Sequence, residues 1–284
     1  MKELRGRNAL VTGAGGGLGG YIARALAVEG VNLALTDLPE ASVDGLAAEL
    51  RGRGVEVKHA PSDLTDPEDR RRLSAWAEEA LGPIDILVNN AGVEFGGPFV
   101  ETDAEALELT VTVNLLATMD LTRLVMPGMQ QRGRGHVVNI ASLAGKLPSP
   151  QLASYSASKH GVVGFTGSLR GEFSEGPVGF SAICPGFVSR VGMYGRIEPH
   201  LGDASENPMG TVPPEDVGTA VVRAIREDRG EIIVNARPVK PLILLNGVAP
   251  KLVARLGRLR RVRDFSDRMR RARERYEEAS PPQR

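Results

Sequence analysis

The sequence predicts an α/β fold, in which a doubly wound parallel sheet forms one domain and a helical extension follows at the C-terminus. Apolar runs of strand length alternate with helical segments almost to the end of the chain. The interiors of these runs are continuously apolar, as in strands that helices bury on both faces. With 284 residues and no internal repeat, the chain has the length of one large domain.

Seven strands are expected, with bounds set by the apolar runs. They cover residues 8–12, 31–36, 55–60, 84–89, 136–141, 179–184 and 231–235. Helices are expected near residues 18–29, 41–51, 67–81, 103–131, 154–173 and 215–226. Proline in or beside the first turn and nearby acidic residues mark the helix starts at Pro67 and Glu215. Right-handed crossovers then place helices on both faces of the sheet.

The predicted domain covers residues 1–237 and the extension covers residues 238–284. Within the domain, residues 190–212 form the longest stretch without periodicity and contain Gly, Pro, Asn and Ser. Loops of that length in a compact domain are commonly functional, so this stretch is expected to be a lid.

The composition is that of an ordinary globular protein, with 42% hydrophobic and 25% charged residues. One cysteine cannot form an internal disulfide, and four scattered histidines predict no metal site. No run of about 20 uninterrupted apolar residues suggests a membrane span. The first residues lack the apolar core of a signal peptide. These observations together predict a cytoplasmic protein.

A glycine-rich turn follows the first predicted strand and opens the first predicted helix, with the sequence TGAGGGLG at residues 12–19. Glycines in this position let backbone N–H groups approach a pyrophosphate, and the helix N-terminus favours the same anion. The strand–turn–helix context therefore predicts a Rossmann-like dinucleotide site. The residues expected to contact the dinucleotide here are Gly13, Gly16, Gly17, Leu18 and Gly19.

An acidic residue ends the second predicted strand, where it could bind both hydroxyls of an adenosine ribose. This residue, Asp37, lies 18 positions after Gly19. Its carboxylate would repel a 2′-phosphate, and the adjacent Leu38 offers no cation to compensate. The pair therefore favours NAD over NADP as the cofactor. The alternative role for Asp37 is to cap the helix that follows.

Tyr155 and Lys159 are four residues apart at the start of a predicted helix, so they share one face. Tyrosine has an ordinary pKa of about 10, but a lysine ammonium and the positive charge of an oxidised nicotinamide would both favour the phenolate. Ser142 ends the fifth predicted strand, where its hydroxyl could hold a substrate oxygen against the tyrosine. A Tyr–Lys pair with this spacing is usually an ordinary surface pair. Here a catalytic role is better supported, because the same predicted sheet also carries the glycine turn of a dinucleotide site.

With these motifs in order, the chain resembles the short-chain dehydrogenase/reductase family over residues 8–235. The motifs are the glycine turn, Asp63-Leu64, Asn89-Asn90-Ala91-Gly92, Asn114, Ser142, Tyr155 with Lys159, and Pro185-Gly186. The resemblance implies that Tyr155 is the general acid/base and that Ser142 orients and polarises the substrate oxygen. It also implies that Lys159 binds the nicotinamide ribose and lowers the pKa of Tyr155, and that Asn114 holds a water in a proton relay.

The resemblance further implies a set of cofactor contacts beyond the glycine turn and Asp37. They are Asp63, Leu64, Asn89, Ala91, Gly92, Tyr155, Lys159, Pro185 and Val188. One position departs from the family pattern, because Arg190 stands where a threonine often holds the nicotinamide carboxamide. Either Ser189 takes over that contact, or the lid is anchored differently.

The expected function is interconversion of a secondary alcohol and a ketone by hydride transfer with NAD. An NADPH-dependent carbonyl or 3-oxoacyl reductase is the alternative, which Asp37 disfavours. A nucleotide-sensing scaffold without turnover is a third hypothesis, disfavoured by the complete catalytic set. Residues suited to an apolar substrate pocket are Phe95, Leu143, Leu147, Pro148, Phe187 and Met193. For Glu94, at the cleft mouth, an exposed loop acid is preferred over a substrate contact.

The net charge of zero conceals a basic tail. Residues 251–284 carry 12 basic and 5 acidic side chains, or +7, which leaves −7 on the first 250 residues. A helical apolar stripe is expected along the tail, formed by Leu252, Leu256, Leu259, Val262, Phe265 and Met269. Packing of this stripe on the same or a neighbouring subunit is preferred over contact with an anionic membrane. Few aromatic residues argue against nucleic-acid binding.

Small residues also recur along the helix after Lys159. They are Gly161, Gly164, Ser168 and Gly171. Such a stripe permits close approach of another backbone. Because members of the family commonly pair through this helix, a homodimer or homotetramer is expected.

Overall fold

A computed structural model describes residues 1–202, 207–256 and 259–279 of the chain. Its strands are β1 (Asn8–Thr12), β2 (Asn32–Asp37), β3 (Val57–Pro61), β4 (Ile86–Asn89), β5 (Gly135–Ile140), β6 (Val178–Pro185), β7 (Phe187–Val188), β8 (Thr211–Val212) and β9 (Glu231–Val234). Seven of them form one parallel sheet in the order β3-β2-β1-β4-β5-β6-β9, and β7 pairs with β8. The predicted doubly wound parallel sheet is confirmed.

Eleven α-helices lie within the described residues, and several of them cover the two faces of this sheet. They are α1 (Gly17–Val28), α2 (Asp44–Arg51), α3 (Pro67–Leu81), α4 (Ala104–Val111), α5 (Ala117–Gln131), α6 (Ala153–Glu172), α7 (Gly192–Ile197), α8 (Pro214–Glu227), α9 (Lys240–Val248), α10 (Pro250–Leu256) and α11 (Arg260–Ala279). Successive side chains of β1 point to opposite faces of the sheet. Ala9 and Val11 pack in the core on the side of α1 and α8, whereas Leu10 packs in the core on the side of α3 and α5. Both faces are therefore apolar, which explains the continuous apolar runs.

Two strands begin later than the apolar runs that predict them. The ladder of β3 starts at Val57, opposite Leu33, and that of β4 starts at Ile86, opposite Ala9. Val55 and Ile84 nevertheless bury their side chains in the core. Apolar periodicity reports burial and not backbone pairing, so it extends each strand by two residues.

The long helix predicted at residues 103–131 is broken by a π-helical turn at Thr112–Leu116, between α4 and α5. By length and composition alone, this stretch could cross a membrane, and within the described residues it is the one helix that could. It does not form an uninterrupted apolar run, because charged residues such as Asp120 lie within it. Its inner face buries Leu121, Val125 and Met129 in the core below the sheet. We therefore interpret it as a core helix.

The stretch predicted as an irregular lid contains ordered elements, namely α7, a 3-10 turn at Glu198–His200 and β8. Tyr194 and Ile197 of α7 pack against Phe265 and Ala272 of α11. The ring centroids of Phe187 and Phe265 lie 5.6 Å apart, edge to face. The tail helix α11 therefore packs against the lid of its own chain. Sequence periodicity predicted an apolar stripe but could not show which surface the stripe packs on.

The rest of the predicted tail stripe is not buried in the core. Leu252, Leu256 and Leu259 are exposed. The Val262 side chain lies outside the described residues. The single expected amphipathic helix is thus divided: α11 is docked on the lid, whereas α10 belongs to a separate exposed segment together with α9.

A buried histidine in β5 makes stability depend on pH. His136 Nε2 lies 2.7 Å from Ser181 Oγ, and burial lowers the pKa of the imidazole from 6.5 to about 3. The folded state therefore keeps His136 neutral in a range where the unfolded chain binds a proton. That difference stabilises the fold above pH 6.5, and the stabilisation is lost as the pH falls toward 3.

We expect His136→Gln to flatten the acid limb of the stability profile. Wild-type protein should lose about 1.4 kcal/mol per pH unit from this one site between pH 6.5 and 4. Urea unfolding at pH 7, 6, 5 and 4 measures the difference, with His59→Gln as the matched control at a partly exposed position. Parallel wild-type and His136→Gln profiles would show that burial of His136 has no such effect.

Candidate active site

A cavity of about 2000 Å³ opens at the carboxyl ends of the sheet strands. Its lining comes from the turn after β1, the ends of β2, β5 and β6, the start of α6, the lid and the tail helices. In doubly wound sheets, ligands bind at this edge, where the chain reverses its direction of winding between β1 and β4.

The glycine turn is built for close approach. Gly13 has φ +66°, and a Cβ on it would lie 2.8 Å from Ala91 Cα. A Cβ on Gly19 would overlap the Gly13 carbonyl, so Gly19 lets α1 pack on the turn. Gly19 is absent from the cavity lining, whereas Gly16, Gly17 and Leu18 line it. Gly19 therefore supports the turn through close packing, and its predicted contact with the dinucleotide stays a prediction.

The residues present fit a dinucleotide. The first turn of α1 has no side-chain cap at Gly16, so its N–H groups remain available to an anion at the cavity wall. Asn90 fixes the turn by donating from Nδ2 to the carbonyls of Thr12 and Gly13, at 3.0 Å each. Asn90 belongs to the motif Asn89-Asn90-Ala91-Gly92 and also lines the cavity.

Asp37 faces this turn. Its Oδ2 accepts from the N–H groups of Gly15 at 2.8 Å and Gly16 at 3.1 Å. The next helix, α2, begins at Asp44 with Val43 as its N-cap, so Asp37 does not cap it. The helix-cap alternative is therefore wrong.

Cations are absent from the adenosine end of the cavity as far as the structure describes it. Leu38 is 49% exposed beside Asp37. The Lys, Arg and His side chains that line the cavity are Lys159, His160, Arg196, Arg270 and Arg273, from α6, α7 and α11. None of the lining residues contributed by the glycine turn, the end of β2 or the segment after β3 is basic. A 2′-phosphate would meet the Asp37 carboxylate with no compensating charge among these residues.

Most of the remaining predicted contacts line the cavity, and one does not. Lining residues are Asp63, Leu64, Ala91, Gly92, Pro185 and Val188. Asn89 is buried, and its Nδ2 donates to Asn139 Oδ1 at 2.9 Å and to Thr122 Oγ1 at 3.2 Å. Asn89 does not line the cavity, because its side chain points into the core next to β5, and its predicted cofactor contact stays a prediction. Within the described chain, no cluster of His, Cys, Asp or Glu is placed to bind a metal ion.

The predicted catalytic side chains converge. Tyr155 and Lys159 begin α6 on one face, with Lys159 Nζ 5.7 Å from the centroid of the tyrosine ring. Lys159 Nζ donates to the Ile140 carbonyl at 2.9 Å. Ser142, directly after β5, hydrogen-bonds the Tyr155 hydroxyl and also accepts from the Ala144 N–H at 3.1 Å. The three polar groups therefore share one point of the cavity wall.

Asn114 lies in the π-helical turn, and its side chain makes three hydrogen bonds within the chain. Nδ2 donates to the Val93 carbonyl at 2.9 Å and to Ser158 Oγ at 3.1 Å, and Oδ1 accepts from the Val93 N–H at 2.8 Å. A Cβ on Gly92 would lie 3.1 Å from Asn114 Oδ1 and 3.5 Å from Lys159 Nζ. These contacts make Asn114 the residue that positions the loop beside Lys159. The π turn marks this functional position in the helix.

Burial governs the ionisation of the catalytic pair. It raises the pKa of Tyr155 well above its usual value, although the hydrogen bond from Ser142 opposes this. It also lowers the pKa of Lys159 to about 8. Among the protein groups, desolvation is the largest influence on the Tyr155 hydroxyl, and it favours the protonated form. The predicted effect of Lys159 together with an oxidised nicotinamide on the pKa of Tyr155 stays a prediction.

A charged pair that sequence analysis missed occupies the same cavity. Glu94, expected to be an exposed loop acid, is 14% exposed in its side chain and forms an ion pair with Arg273 of α11, which is 16% exposed. Burial raises the pKa of Glu94, and the charge of Arg273 opposes that rise. The two residues are 179 positions apart, so no sequence signal pairs them.

The lid is anchored without the threonine contact typical of the family. Arg190 has φ +67° and donates from its guanidinium to Glu215 at 2.6 Å, away from the cavity. Ser189 Oγ donates to the Val212 carbonyl at 3.3 Å. Neither side chain lines the cavity. In this structure Arg190 and Ser189 instead hold the lid to Glu215 and Val212.

The end of the cavity near Tyr155 is largely apolar. All six predicted pocket residues line it, namely Phe95, Leu143, Leu147, Pro148, Phe187 and Met193. The tail adds further apolar residues that sequence analysis did not place there, namely Leu242, Val253, Leu256, Phe265 and Met269. Cys184 lies in the core behind the site, and burial raises the pKa of its thiol to about 12, so it is not a nucleophile.

Comparison with known proteins agrees with this geometry. The profile described as short chain dehydrogenase matches residues 7–201. Ketoacyl reductase HetN from Nostoc sp. is 36% identical over 94% of this chain and 94% of its own length. D-beta-hydroxybutyrate dehydrogenase from Cupriavidus necator is 35% identical over 65% of this chain and 72% of its own length.

Two solved structures share the fold. A short chain dehydrogenase/reductase from Burkholderia phymatum, in complex with NAD, superposes with a TM-score of 0.78 at 30% identity, covering 89% of this chain and 96% of that one. An actinorhodin polyketide ketoreductase variant with NADPH gives a TM-score of 0.75 at 33% identity, covering 84% and 98%. The sheet order, the nucleotide turn, the Ser142–Tyr155–Lys159 set and these matches establish that the chain belongs to the short-chain dehydrogenase/reductase family of oxidoreductases.

Proposed function

We propose that this protein interconverts a secondary alcohol and a ketone with NAD as the hydride carrier. The observation that carries the proposal is the convergence of Ser142, Tyr155 and Lys159 on one wall of a cavity whose other end presents Asp37 and a glycine turn. A general acid, an oxygen-orienting hydroxyl and a cation in reach of one carbonyl oxygen suit proton transfer coupled to hydride transfer.

The chain supplies binding, orientation and the proton. The bound nicotinamide would supply or accept the hydride. Ser142 orients the substrate oxygen toward the Tyr155 hydroxyl. Because burial keeps Tyr155 protonated at neutral pH, its hydroxyl is ready to donate a proton to a ketone oxygen. Alcohol oxidation requires the phenolate, so it depends more strongly on nearby positive charge.

The choice of NAD rests on Asp37. Its carboxylate stands beside the turn that would receive the pyrophosphate, and no basic residue accompanies it there in the described chain. The competing candidate is an NADPH-dependent ketoacyl reductase. It is supported by the relative named ketoacyl reductase, which matches this chain over 94% of its length. We prefer NAD because the electrostatics of this cavity disfavour a 2′-phosphate.

We also propose that the protein forms a homo-oligomer through α5 and α6. Gly164 and Gly171 of α6 have open space where a Cβ would lie, whereas Gly161 packs on Leu115. Leu116 and Met119 are exposed at the start of α5. A flat stripe of small residues beside exposed apolar side chains suits close packing of a second copy.

The Glu94–Arg273 ion pair would influence the pKa of Tyr155, the proposed proton donor. The Glu94 carboxylate raises the pKa of Tyr155, and Arg273 is the ion-pair partner that neutralises it. In a desolvated cavity an unpaired carboxylate acts over several ångströms. Arg273 is thus proposed as a positioning residue that acts on Tyr155 through Glu94.

Tyr155→Phe is expected to reduce turnover by about 10²- to 10⁴-fold, because the general acid is lost. NADH affinity, measured by fluorescence titration, should change by less than about threefold, a free-energy difference below about 1 kcal/mol. Tyr21→Phe, at a partly exposed position of α1, is the control. Turnover by the Tyr155→Phe variant at the wild-type rate would overturn the proposed mechanism.

Asp37→Ala is expected to raise KM for NAD at least about tenfold, since two ribose hydrogen bonds to a charged acceptor are lost. It should lower KM for NADP, and adding Leu38→Arg should lower it further. KM for both cofactors is measured side by side, with Asp44→Ala as the control on α2. An unchanged NAD-to-NADP ratio in Asp37→Ala would exclude Asp37 as the selector.

Arg273→Met is expected to move the ascending limb of the alcohol-oxidation pH profile to higher pH by about one unit, because Glu94 loses its counterion. Glu94→Gln should move the limb in the opposite direction, and Glu94→Gln/Arg273→Met should return it close to the Glu94→Gln position. Arg273→Lys retains the charge and is the matched control. A uniform loss of rate with no movement of the limb would indicate a purely structural pair.

A further inference from the structure

Two consecutive helices of the C-terminal extension carry an exposed apolar surface. In α9 and α10 no residue is buried. The large apolar side chains Leu244, Val248 and Leu252 are 72%, 83% and 46% exposed. We refer to these three residues as the leucine surface. Val248 and Leu252 line one surface depression together, so these side chains are neighbours and not isolated exposed residues, which indicates an interaction site.

This surface is not explained by packing within the chain. The helices α9 and α10 pack on one another. The next helix, α11, buries Phe265 and Ala272 against the lid. The extension therefore contains one helix docked on the domain and one helix pair whose outer face has no apolar partner among the described residues.

The stretch of sequence that contains the leucine surface is basic. Between Glu231 and Asp264 the sequence contains no Asp or Glu and eight Lys or Arg residues. Lys240, Lys251 and Arg255, within α9 and α10, are exposed. Exposed leucines with a cationic border and no acid match the two layers of an anionic membrane, the acyl chains and the phosphates. Two-fold pairing of this surface would bring two basic segments into one interface, with no acidic residue between Glu231 and Asp264 to offset their charge.

The inner side of the same helices faces the active-site cavity. Leu242 and Asn246 of α9, and Pro250 and Val253 of α10, line the cavity that holds Tyr155. The two helices are therefore a wall between that cavity and the leucine surface.

We propose that α9 and α10 lie in the interface of an anionic membrane, with the leucine surface among the acyl chains and the basic side chains on the lipid phosphates. Docking itself does not require catalysis. The consequence that an apolar ketone would enter the cavity from the bilayer, along the wall formed by α9 and α10, rests on the proposed function.

Co-sedimentation of the full-length protein with vesicles tests the proposal. Vesicles of phosphatidylcholine alone are compared with vesicles in which about three lipids in ten are phosphatidylserine, at about 0.1 M and 0.5 M salt. We expect binding to the anionic vesicles that falls at high salt, and at least tenfold weaker binding to phosphatidylcholine. Absence of binding to anionic vesicles overturns the proposal.

Variants connect the binding to this surface. Leu244→Gln/Val248→Gln and Lys251→Glu/Arg255→Glu should each reduce partition into anionic vesicles at least tenfold. Arg71→Glu/Arg72→Glu, which reverses two exposed charges on α3, should leave it unchanged. Thermal unfolding and NADH titration verify that each variant is folded. Equal vesicle binding by wild type and both surface variants overturns the proposal.

Two further measurements separate the alternatives. Sedimentation velocity without lipid measures self-association; if the surface variants dissociate an oligomer and vesicle binding is absent, the surface is an interface between copies. Tyr155→Phe should bind vesicles as wild type does, because docking needs no turnover. Failure of the proposed enzyme activity with intact vesicle binding would therefore reject the function and retain the membrane surface.

Discussion

The burial of Tyr155 and Lys159 together is the constraint on which the site depends. Placing an ammonium and a phenol in one desolvated cleft disfavours both charges, which keeps Tyr155 protonated and brings the pKa of Lys159 down to about 8. The chain offsets part of this cost with the Ile140 carbonyl, which accepts from Lys159, and with the hydrogen bond from Ser142 to Tyr155. Burial therefore favours the neutral forms of both Tyr155 and Lys159 before any ligand binds.

The parallel sheet makes this arrangement possible. Its strands end at one edge, so Asp37 after β2, Ser142 after β5 and the first turn of α6 meet although they are far apart in sequence. The π-helical turn at Asn114 fixes the loop between the two ends of the cleft. The end of the cavity at Asp37 is acidic and has no cation among the described residues, whereas the end near Tyr155 is largely apolar and contains the Glu94–Arg273 ion pair.

The C-terminal extension adds residues to the walls of the cavity. By packing α11 on the lid, the chain brings Arg273 to Glu94 and adds apolar residues to the end of the cavity near Tyr155. By leaving α9 and α10 outside the core, it gives the same cavity an outer wall that is apolar and basic. Both features come from a segment that lies beyond residues 7–201, the part that matches the family profile.

Sequence alone determined the sheet, its helices, the glycine turn, Asp37 and the Ser142–Tyr155–Lys159 set, because each follows from local periodicity or from short motifs with fixed spacing. Only the tertiary structure decided that Asn89 turns into the core, that Glu94 is buried and that Arg273 is its partner. These outcomes depend on long-range packing: Asn89 finds amide and hydroxyl partners on β5 and α5, and Arg273 comes from 179 residues away. The direction of the Tyr155 pKa shift was likewise decided by burial, a quantity that sequence spacing does not contain.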